Sequence, residues 1–348
     1  MNDKLQKIDD RLMKALAEWS AQYAEDLKSD DSVAEGTLFS EKGRMIDFFK
    51  QGYNGPLPME AIDKVLTELF FGIVNSIRPI RVAYLGPEGT FSSIACTTIF
   101  GTSVNTLSQK TIPDVFREVE SGDAAFGVVP IENSTEGAVT YTLDELIETD
   151  LSIIAEQYVR ISYSVLSQSE DISSIKKIYS HPQPLGQCKG WIRTNVPGAE
   201  IISVDSTTTA AEEARKDKTA AAIAAHVAAE IYGLNVLATR VEDIRQNYTR
   251  FFVIGRMANR TTGNDKTSIV CAVKDKPAAL VKLLQPFADA GINMTKIESR
   301  PDKKKMWEYN FFIDFIGHRD EVKIQQALEH MREETVFLKI LGSYPVGK

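Results

Sequence analysis

Three short polar segments carry the side chains best suited to chemistry: Gly86–Phe91, Pro130–Gly137 and Tyr248–Phe251. The first reads Gly-Pro-Glu-Gly-Thr-Phe and follows an apolar run, Arg81–Leu85. Glycines at a strand–helix junction let main-chain N–H groups approach an anion, and the helix dipole there favours negative charge. A tight turn closed by a Ser or Thr N-cap explains the same residues equally well. No Gly-Lys-[Ser/Thr] follows, so this is not a nucleotide P-loop. The second segment places five consecutive polar side chains, Glu132 to Glu136, after the apolar run Ala125–Val129. Such a loop is suited to binding, because Asn and Ser donate to carboxylates and carbonyls. A capping box is the alternative, and Ser134 with Gly137 fits it only in part. The third segment sets a hydroxyl, Thr249, beside a guanidinium, Arg250, at the start of an apolar run. Together they offer a hydrogen-bond donor and a carboxylate clamp, whereas an isolated pair of this kind is more often a surface arginine.

Two further segments are less distinctive. Ser180–Cys188 is a polar turn rich in proline, in which His181 reads as a turn residue and Cys188 as a small buried side chain. Ser206-Thr207-Thr208 precedes an Ala-rich helical stretch and reads as its N-cap.

The elements that must position these segments fall into three regions. Ile8, Leu12, Leu16, Trp19, Tyr23 and Leu27 recur at helical spacing, as do Ile62, Leu66, Leu69, Ile73 and Ile77 after Pro58. This predicts an antiparallel helical unit over 1–78, with a shorter helix near Met45–Phe49. From Arg81, short apolar runs alternate with amphipathic stretches such as Ile112–Val119 and Thr208–Arg215. That alternation predicts an α/β region in which strand ends feed polar loops. Met257–Asp265 reads as a polar linker. Beyond it the order βαββα, with a short last strand near Phe337–Leu341, predicts a ferredoxin-like module.

Composition excludes several classes. The 348 residues are 43% hydrophobic and 25% charged, which is ordinary for globular domains. A net charge of −8 with no basic block argues against nucleic acid and anionic membranes as partners. No apolar run reaches the ~20 residues that span a bilayer. Met1–Asp10 is polar and no signal-peptide core follows it, so a cytoplasmic protein is expected. The three cysteines, Cys96, Cys188 and Cys271, are widely spaced and fit reduced thiols. Four scattered histidines, without CxxC or HExxH, make a metal site unexpected.

The order and wording of the motifs together are specific. Residues 81–256 resemble prephenate dehydratase, in Gly86–Phe91, Val129–Gly137, Ser180–Gln187, Ser206–Ala211 and Tyr248–Phe251. Residues 266–345 resemble the phenylalanine-binding ACT domain of that family, with Gly291–Pro301 as its signature. Residues 1–78 stand where bifunctional members carry a helical chorismate mutase. The resemblance implies an all-α N-terminal domain, a two-lobed α/β domain like a periplasmic binding protein, and an α+β ferredoxin-like ACT domain. It implies conversion of prephenate to phenylpyruvate, driven by aromatisation and needing no cofactor or metal. Thr249 would be the catalytic hydroxyl. Thr90, Asn133, Ser134, Thr135, Gln187, Ser206, Thr207, Arg250 and Phe251 would bind substrate, Arg250 as a carboxylate partner. Leu280, Asn293, Met294, Glu298 and Ser299 would hold phenylalanine in a homodimer or homotetramer. Alternatives are a fully bifunctional enzyme, an arogenate dehydratase and a non-catalytic amino-acid sensor.

Two departures from the family pattern stand out. Before the ACT helix the family's Gly-Ala-Leu reads Ala278-Ala279-Leu280, which adds a methyl near the effector. In the first region Trp19 replaces a mutase arginine, and Ser40-Glu41-Lys42-Gly43-Arg44 replaces the Asp-x-x-Arg-Glu signature. The expectation is a mutase-like scaffold with little or no mutase activity, unless Lys7, Arg11, Lys28, Lys42 and Arg44 build an unusual pocket.

Overall fold

A computed structural model describes residues 3–29, 37–273, 276–301 and 309–347. The helical unit comprises α1 (Asp3–Ser29), α2 (Leu38–Gly52) and α3 (Met59–Ile77). Helix α3 begins directly after Pro58, whose fixed φ of −65° suits a helix entrance. On α1 the apolar stripe divides. Trp19, Tyr23 and Leu27 pack on the core, while Leu5, Ile8 and Leu12 are exposed. The unit is fused to the next domain by aromatic side chains. Phe71 packs at a tilt with its ring centre 5.0 Å from that of Phe100, and Phe39 lies 5.9 Å edge-on to Phe126. The Glu68 carboxylate accepts from the main-chain N–H and hydroxyl of Thr102 and from Ser103 Oγ.

The first α/β lobe contains β1 (Arg81–Leu85), α4 (Phe91–Phe100), β2 (Asn105–Gln109), α5 (Ile112–Ser121), β3 (Phe126–Asn133), β4 (Gly137–Ala138), α6 (Thr140–Glu148) and β5 (Ser152–Arg160). The second contains β6 (Tyr163–Ser167), β7 (Lys177–Ser180), α7 (Pro182–Gln187), α8 (Lys189–Asn195), β8 (Glu200–Ser203), α9 (Thr207–Lys216), β9 (Ala220–Ala225), α10 (Ala228–Tyr232) and β10 (Asn235–Thr239). The chain then returns to the first lobe as β11 (Tyr248–Gly255), antiparallel to both β3 and β5. The first sheet runs β2-β1-β3-β11-β5 and the second β10-β6-β9-β7-β8. Strand β9 is Ala-Ala-Ala-Ile-Ala-Ala, wholly buried, and Ala210, Ala211 and Ala214 of α9 pack in the same small-residue core. Short side chains on both elements let helix and sheet approach closely.

The C-terminal domain comprises β12 (Asp265–Val273), α11 (Ala279–Asp289), β13 (Met294–Pro301), β14 (Tyr309–Ile316), α12 (Val322–Glu334) and β15 (Thr335–Pro345), with sheet order β13-β14-β12-β15. One sheet face packs on its own helices through Ile269, Leu283, Phe287 and Phe315. The other joins the first lobe, where Val270, Phe312 and Tyr344 share a core with Ile153 and Phe252. Gly342 is required at this junction, because a Cβ there would overlap the main chain of Ile153. The Lys339 ammonium donates to the carbonyls of Leu146, Ile147 and Thr149 at the end of α6, where the helix dipole favours a cation.

Three expectations change. The polar stretch at 257–265 is a docked loop rather than a free linker. Asn259 is buried and donates to Ile154 and Ser343 carbonyls, and the Asp265 carboxylate gathers the Thr262 and Gly263 N–H groups. The last strand is long, spanning Thr335–Pro345, because it pairs along the whole of β12. Strands β2 and β10 have no alternating signal, being sheet-edge strands with mostly exposed residues. No described helix is long and apolar enough to cross a membrane.

The aromatic junction makes the helical unit and first lobe one cooperative body. Phe71→Ala, which truncates a fully buried ring, should cost about 3–5 kcal/mol in denaturant unfolding. Helical and lobe signals should shift together, and separate transitions would contradict the shared core.

Candidate active site

The site is organised by one amide. Asn133 ends β3 directly opposite Thr249 on β11. Its Oδ1 accepts from the main-chain N–H groups of Thr135 and Glu136, at 3.0 and 3.1 Å, and from the Thr135 hydroxyl at 2.6 Å. Main-chain N–H groups can only donate, so this end of the amide must be its oxygen. The other end therefore donates, to Thr249 Oγ1 at 2.8 Å and to Asn247 Oδ1 at 2.8 Å. Because Thr249 Oγ1 accepts this bond, its own hydrogen is available to a further acceptor. The hydroxyl is thus held as an oriented donor, nine-tenths buried, at the end of a central strand.

Gln187 reaches this cluster from the second lobe. Its Nε2 lies 3.4 Å from Thr135 Oγ1 and 3.1 Å from Glu136 Oε1, and its Oε1 accepts from Asn247 Nδ2 at 3.2 Å. Ser134 is tied in both directions to the return strand, its N–H donating to the Tyr248 carbonyl and its Oγ accepting from the Tyr248 N–H. Asn247 had no distinguishing signal in the sequence, yet it is buried and bridges Asn133 to Gln187.

The glycine-rich turn and Ser206 act as helix caps that face one another across the lobes. Thr90 is the N-cap of α4 and accepts from Ser93 N–H, while Ser206 caps α9 and accepts from Thr209 N–H at 2.9 Å. Gly89 has φ +85°, and a methyl there would lie 3.5 Å from Thr208 Cγ2 in the first turn of α9. Two helix N-termini, one from each lobe, therefore converge beside the cleft, with Thr207 in the first turn of the second. Both carry partial positive charge and unused N–H donors. Phe91 and Tyr163 close the lobes at 5.4 Å, edge to face.

Arg250 and Phe251 require correction. Neighbours on a strand point to opposite faces, so Arg250 turns away from the face that carries Thr249. Its guanidinium is 4% exposed and fully engaged. Nε donates to Glu156 at 2.7 Å, Nη1 to Asp314 at 2.5 Å and Nη2 to the Tyr344 hydroxyl at 3.0 Å. It is an interdomain ion-pair centre and not a substrate clamp. Phe251 lies in the apolar core with Val128 and Val253.

The expected effector residues are divided between the start of α11 and the segment 293–299 that enters and forms β13. Leu280 is in the first turn of α11, Asn293 and Met294 open β13, and Leu280 and Met294 are partly exposed. Glu298 and Ser299 are neighbours on β13 and project to opposite faces. Ala278 adopts φ +63°, a left-handed conformation that glycine takes without cost. Among the described residues, no group of three or more His, Cys, Asp or Glu is arranged to hold a metal.

This arrangement defines a two-lobed α/β enzyme domain with a fused ligand-sensing domain. Residues 82–259 match the family described as prephenate dehydratase, and residues 267–330 match the ACT domain. A bifunctional chorismate mutase/prephenate dehydratase of Aquifex aeolicus is 41% identical over 99% of this chain and 97% of its own length. The structure of Arthrobacter aurescens prephenate dehydratase in complex with L-Phe superposes with a TM-score of 0.71 at 33% identity, covering 77% of this chain and 90% of that one. A protein described as a novel type of quorum-quenching acylase has a TM-score of 0.70 at 29% identity, covering 76% and 98%. The chain belongs to the prephenate dehydratase family. The acylase shows that this fold alone does not fix the reaction, so the site residues must carry it.

None of the cysteines is placed for nucleophilic work. Burial pushes the Cys96 and Cys271 thiols up to about 12 and raises Cys188 further. At neutral pH a disulfide reagent should label the native protein very slowly, and all three thiols rapidly after unfolding. Fast labelling of Cys188 in the native state would contradict its burial.

Proposed function

We propose that this chain converts prephenate to phenylpyruvate, CO2 and water, with phenylalanine as a feedback effector on its C-terminal domain. The observation that carries this reading is the oriented Thr249 hydroxyl, fixed by Asn133 within a cluster of hydroxyls and amides drawn from both lobes. In the reaction the bond from the ring to its carboxylate breaks and CO2 departs. Those electrons enter the ring, and the ring carbon–oxygen bond breaks as aromaticity forms. The departing oxygen leaves as water once it has gained a proton. Thr249 donates a hydrogen bond to that oxygen and stabilises charge as it develops. An aliphatic alcohol is too weak an acid to be the net proton source, so the role is electrostatic and orienting.

Two carboxylates must be held while this happens. With Arg250 committed elsewhere, the remaining donors are neutral. They are the N–H groups at the starts of α4 and α9, capped by Thr90 and Ser206, and the side chains of Ser134, Gln187 and Thr207, while Thr135 spends its hydroxyl hydrogen on Asn133 and lines the site as an acceptor. Oriented dipoles of this kind hold an anion without needing a buried counter-charge. Phenylalanine is assigned to the region of Leu280, Asn293, Met294, Glu298 and Ser299. The L-Phe complex of the Arthrobacter enzyme supports phenylalanine as the ligand. The exposed apolar Val281 and Ile297 beside it suit contact with a second copy in a homodimer or homotetramer.

Chorismate mutase activity is assigned as weak or absent. Within one chain the candidate cations are dispersed. Lys42 donates to the Ile99 carbonyl, Arg44 pairs with Glu41, Lys28 is exposed, and Lys7 and Arg11 lie together on the far half of α1. The hollow beside Trp19 and Tyr23 is lined by Phe48, Phe49 and the Glu41–Arg44 pair.

Purified protein supplied with prephenate should release phenylpyruvate. Thr249→Ala should lower kcat by about 10²–10³-fold, as loss of one oriented donor does, with a much smaller change in KM. Absence of phenylpyruvate from folded protein, or acylase activity in its place, would overturn the reading. Arogenate offered alongside prephenate separates those two substrates. Chorismate should be consumed slowly or not at all, and brisk consumption would restore the bifunctional assignment.

A further inference from the structure

We propose that the cross-strand pair Glu132 and Arg250 is the contact through which the C-terminal domain positions Asn133 and Thr249. This rests on the reading of Thr249 as the seat of dehydration. Strands β3 and β11 place Asn133 opposite Thr249 and, one residue along, Glu132 opposite Arg250. Residues directly opposite one another share a face, and the next rung faces the other way. The first rung therefore faces the cleft and the second faces the C-terminal sheet.

That second rung is gripped from three strands of the C-terminal domain. Arg250 bonds Asp314 of β14 and the Tyr344 hydroxyl of β15. Lys296 of β13 lies 2.7 Å from Glu132 as an ion pair, off the line of a hydrogen bond. Ser268 of β12 completes the frame by bonding both Asp314 and Tyr344. Adjacent residues are joined by a rigid peptide unit, so a displacement at 132 or 250 is passed to 133 or 249. The ladder breaks immediately beyond, where Phe251 faces Pro130 and Ile131 is the extra residue of a bulge. The two rungs are thus set off from the rest of β3, while on its other side β11 stays paired with β5 through Thr249 and Arg250. Strand β13 also bears Met294 and Glu298, so a ligand that moves this strand acts on Glu132 through Lys296.

A second contact of the same strand serves as the control. Arg300 of β13 makes a two-pronged pair with Asp144 of α6, at 2.5 and 2.6 Å, and neither partner lies on β3 or β11. The test is prephenate turnover by the full chain carrying Lys296→Met, Arg250→Lys or Asp144→Ala, with hydrogen exchange of residues 126–138 and 246–255 in the same proteins. Lys296→Met and Arg250→Lys should each lower kcat by about 2- to 30-fold, the span of mutations along coupled networks. KM should stay within about twofold, as expected when positioning is lost and binding is not. Exchange should quicken in both segments. Asp144→Ala should change neither readout. The proposal is overturned if Lys296→Met matches the parent protein, or if Asp144→Ala lowers kcat and quickens exchange equally, since domain docking alone would then suffice. Lys296→Met decides by itself if Arg250→Lys does not fold. Should the parent protein make no phenylpyruvate, the dehydratase reading fails on that result, and the exchange comparison still decides the positioning.

Discussion

The antiparallel register of β3 against β11 is the constraint on which the site depends. It sets Asn133 against Thr249, and a slip of one residue would send the amide to the opposite face from the hydroxyl. The two strands are far apart in the chain, because the whole second lobe is inserted between them. The hydroxyl therefore exists as an oriented donor only when both lobes and the return strand have folded. Gln187 makes the same point from the other side, since a residue of the second lobe closes the hydrogen bonds of a first-lobe loop.

The register is fixed on its far side by buried charge. Arg250 and Lys266 meet Glu156 and Asp314, two cations against two carboxylates, all at most 6% exposed. Burial alone would lower the affinity of Arg250 for its proton, but the carboxylates of Asp314 and Glu156 more than offset this and the guanidinium stays charged. Burial also raises the Tyr344 phenol well above its ordinary range, so it stays neutral and hydrogen-bonded between Arg250 and Ser268. Such a cluster is a weak source of net stability, because desolvating four ions cancels much of their attraction. What it supplies is specificity of docking. A one-residue slip between the domains would leave buried charges without partners, a penalty of several kcal/mol per ion.

Much of the architecture was legible in the sequence because hydrophobic period and turn residues report local structure. The helical stripe of Trp19, Tyr23 and Leu27, the capping roles of Thr90 and Ser206, and the strands beginning at Arg81 and Phe126 follow from that. The resemblance, carried by motif order, added the domain assignment. Arg250 was misplaced because its residue type was weighed without its strand position. Strand alternation, applied to Thr249 and Arg250, already forbids both from facing one cleft. Asn247, Glu156 and Asp314 were not legible, since each acquires meaning from a partner distant in sequence. Edge strands β2 and β10 were missed because an edge exposed to solvent needs no alternating pattern.

The N-terminal helices pack directly on the first lobe. Their contribution to this chain is the aromatic junction of Phe39 and Phe71 with Phe100 and Phe126, together with Glu68 of α3, which accepts from Thr102 of the first lobe. Lys42, at the position of the expected signature, is turned into that junction. Its ammonium lies over the rings of Phe39 and Phe71, at 5.8 and 5.4 Å, and bonds the Ile99 carbonyl. A cation used in this way stabilises the seam between helix and lobe through ring contact and a helix-terminal carbonyl. It cannot at the same time hold a carboxylate in the helical bundle. Lys42 thus ties the helical unit to the dehydratase lobe.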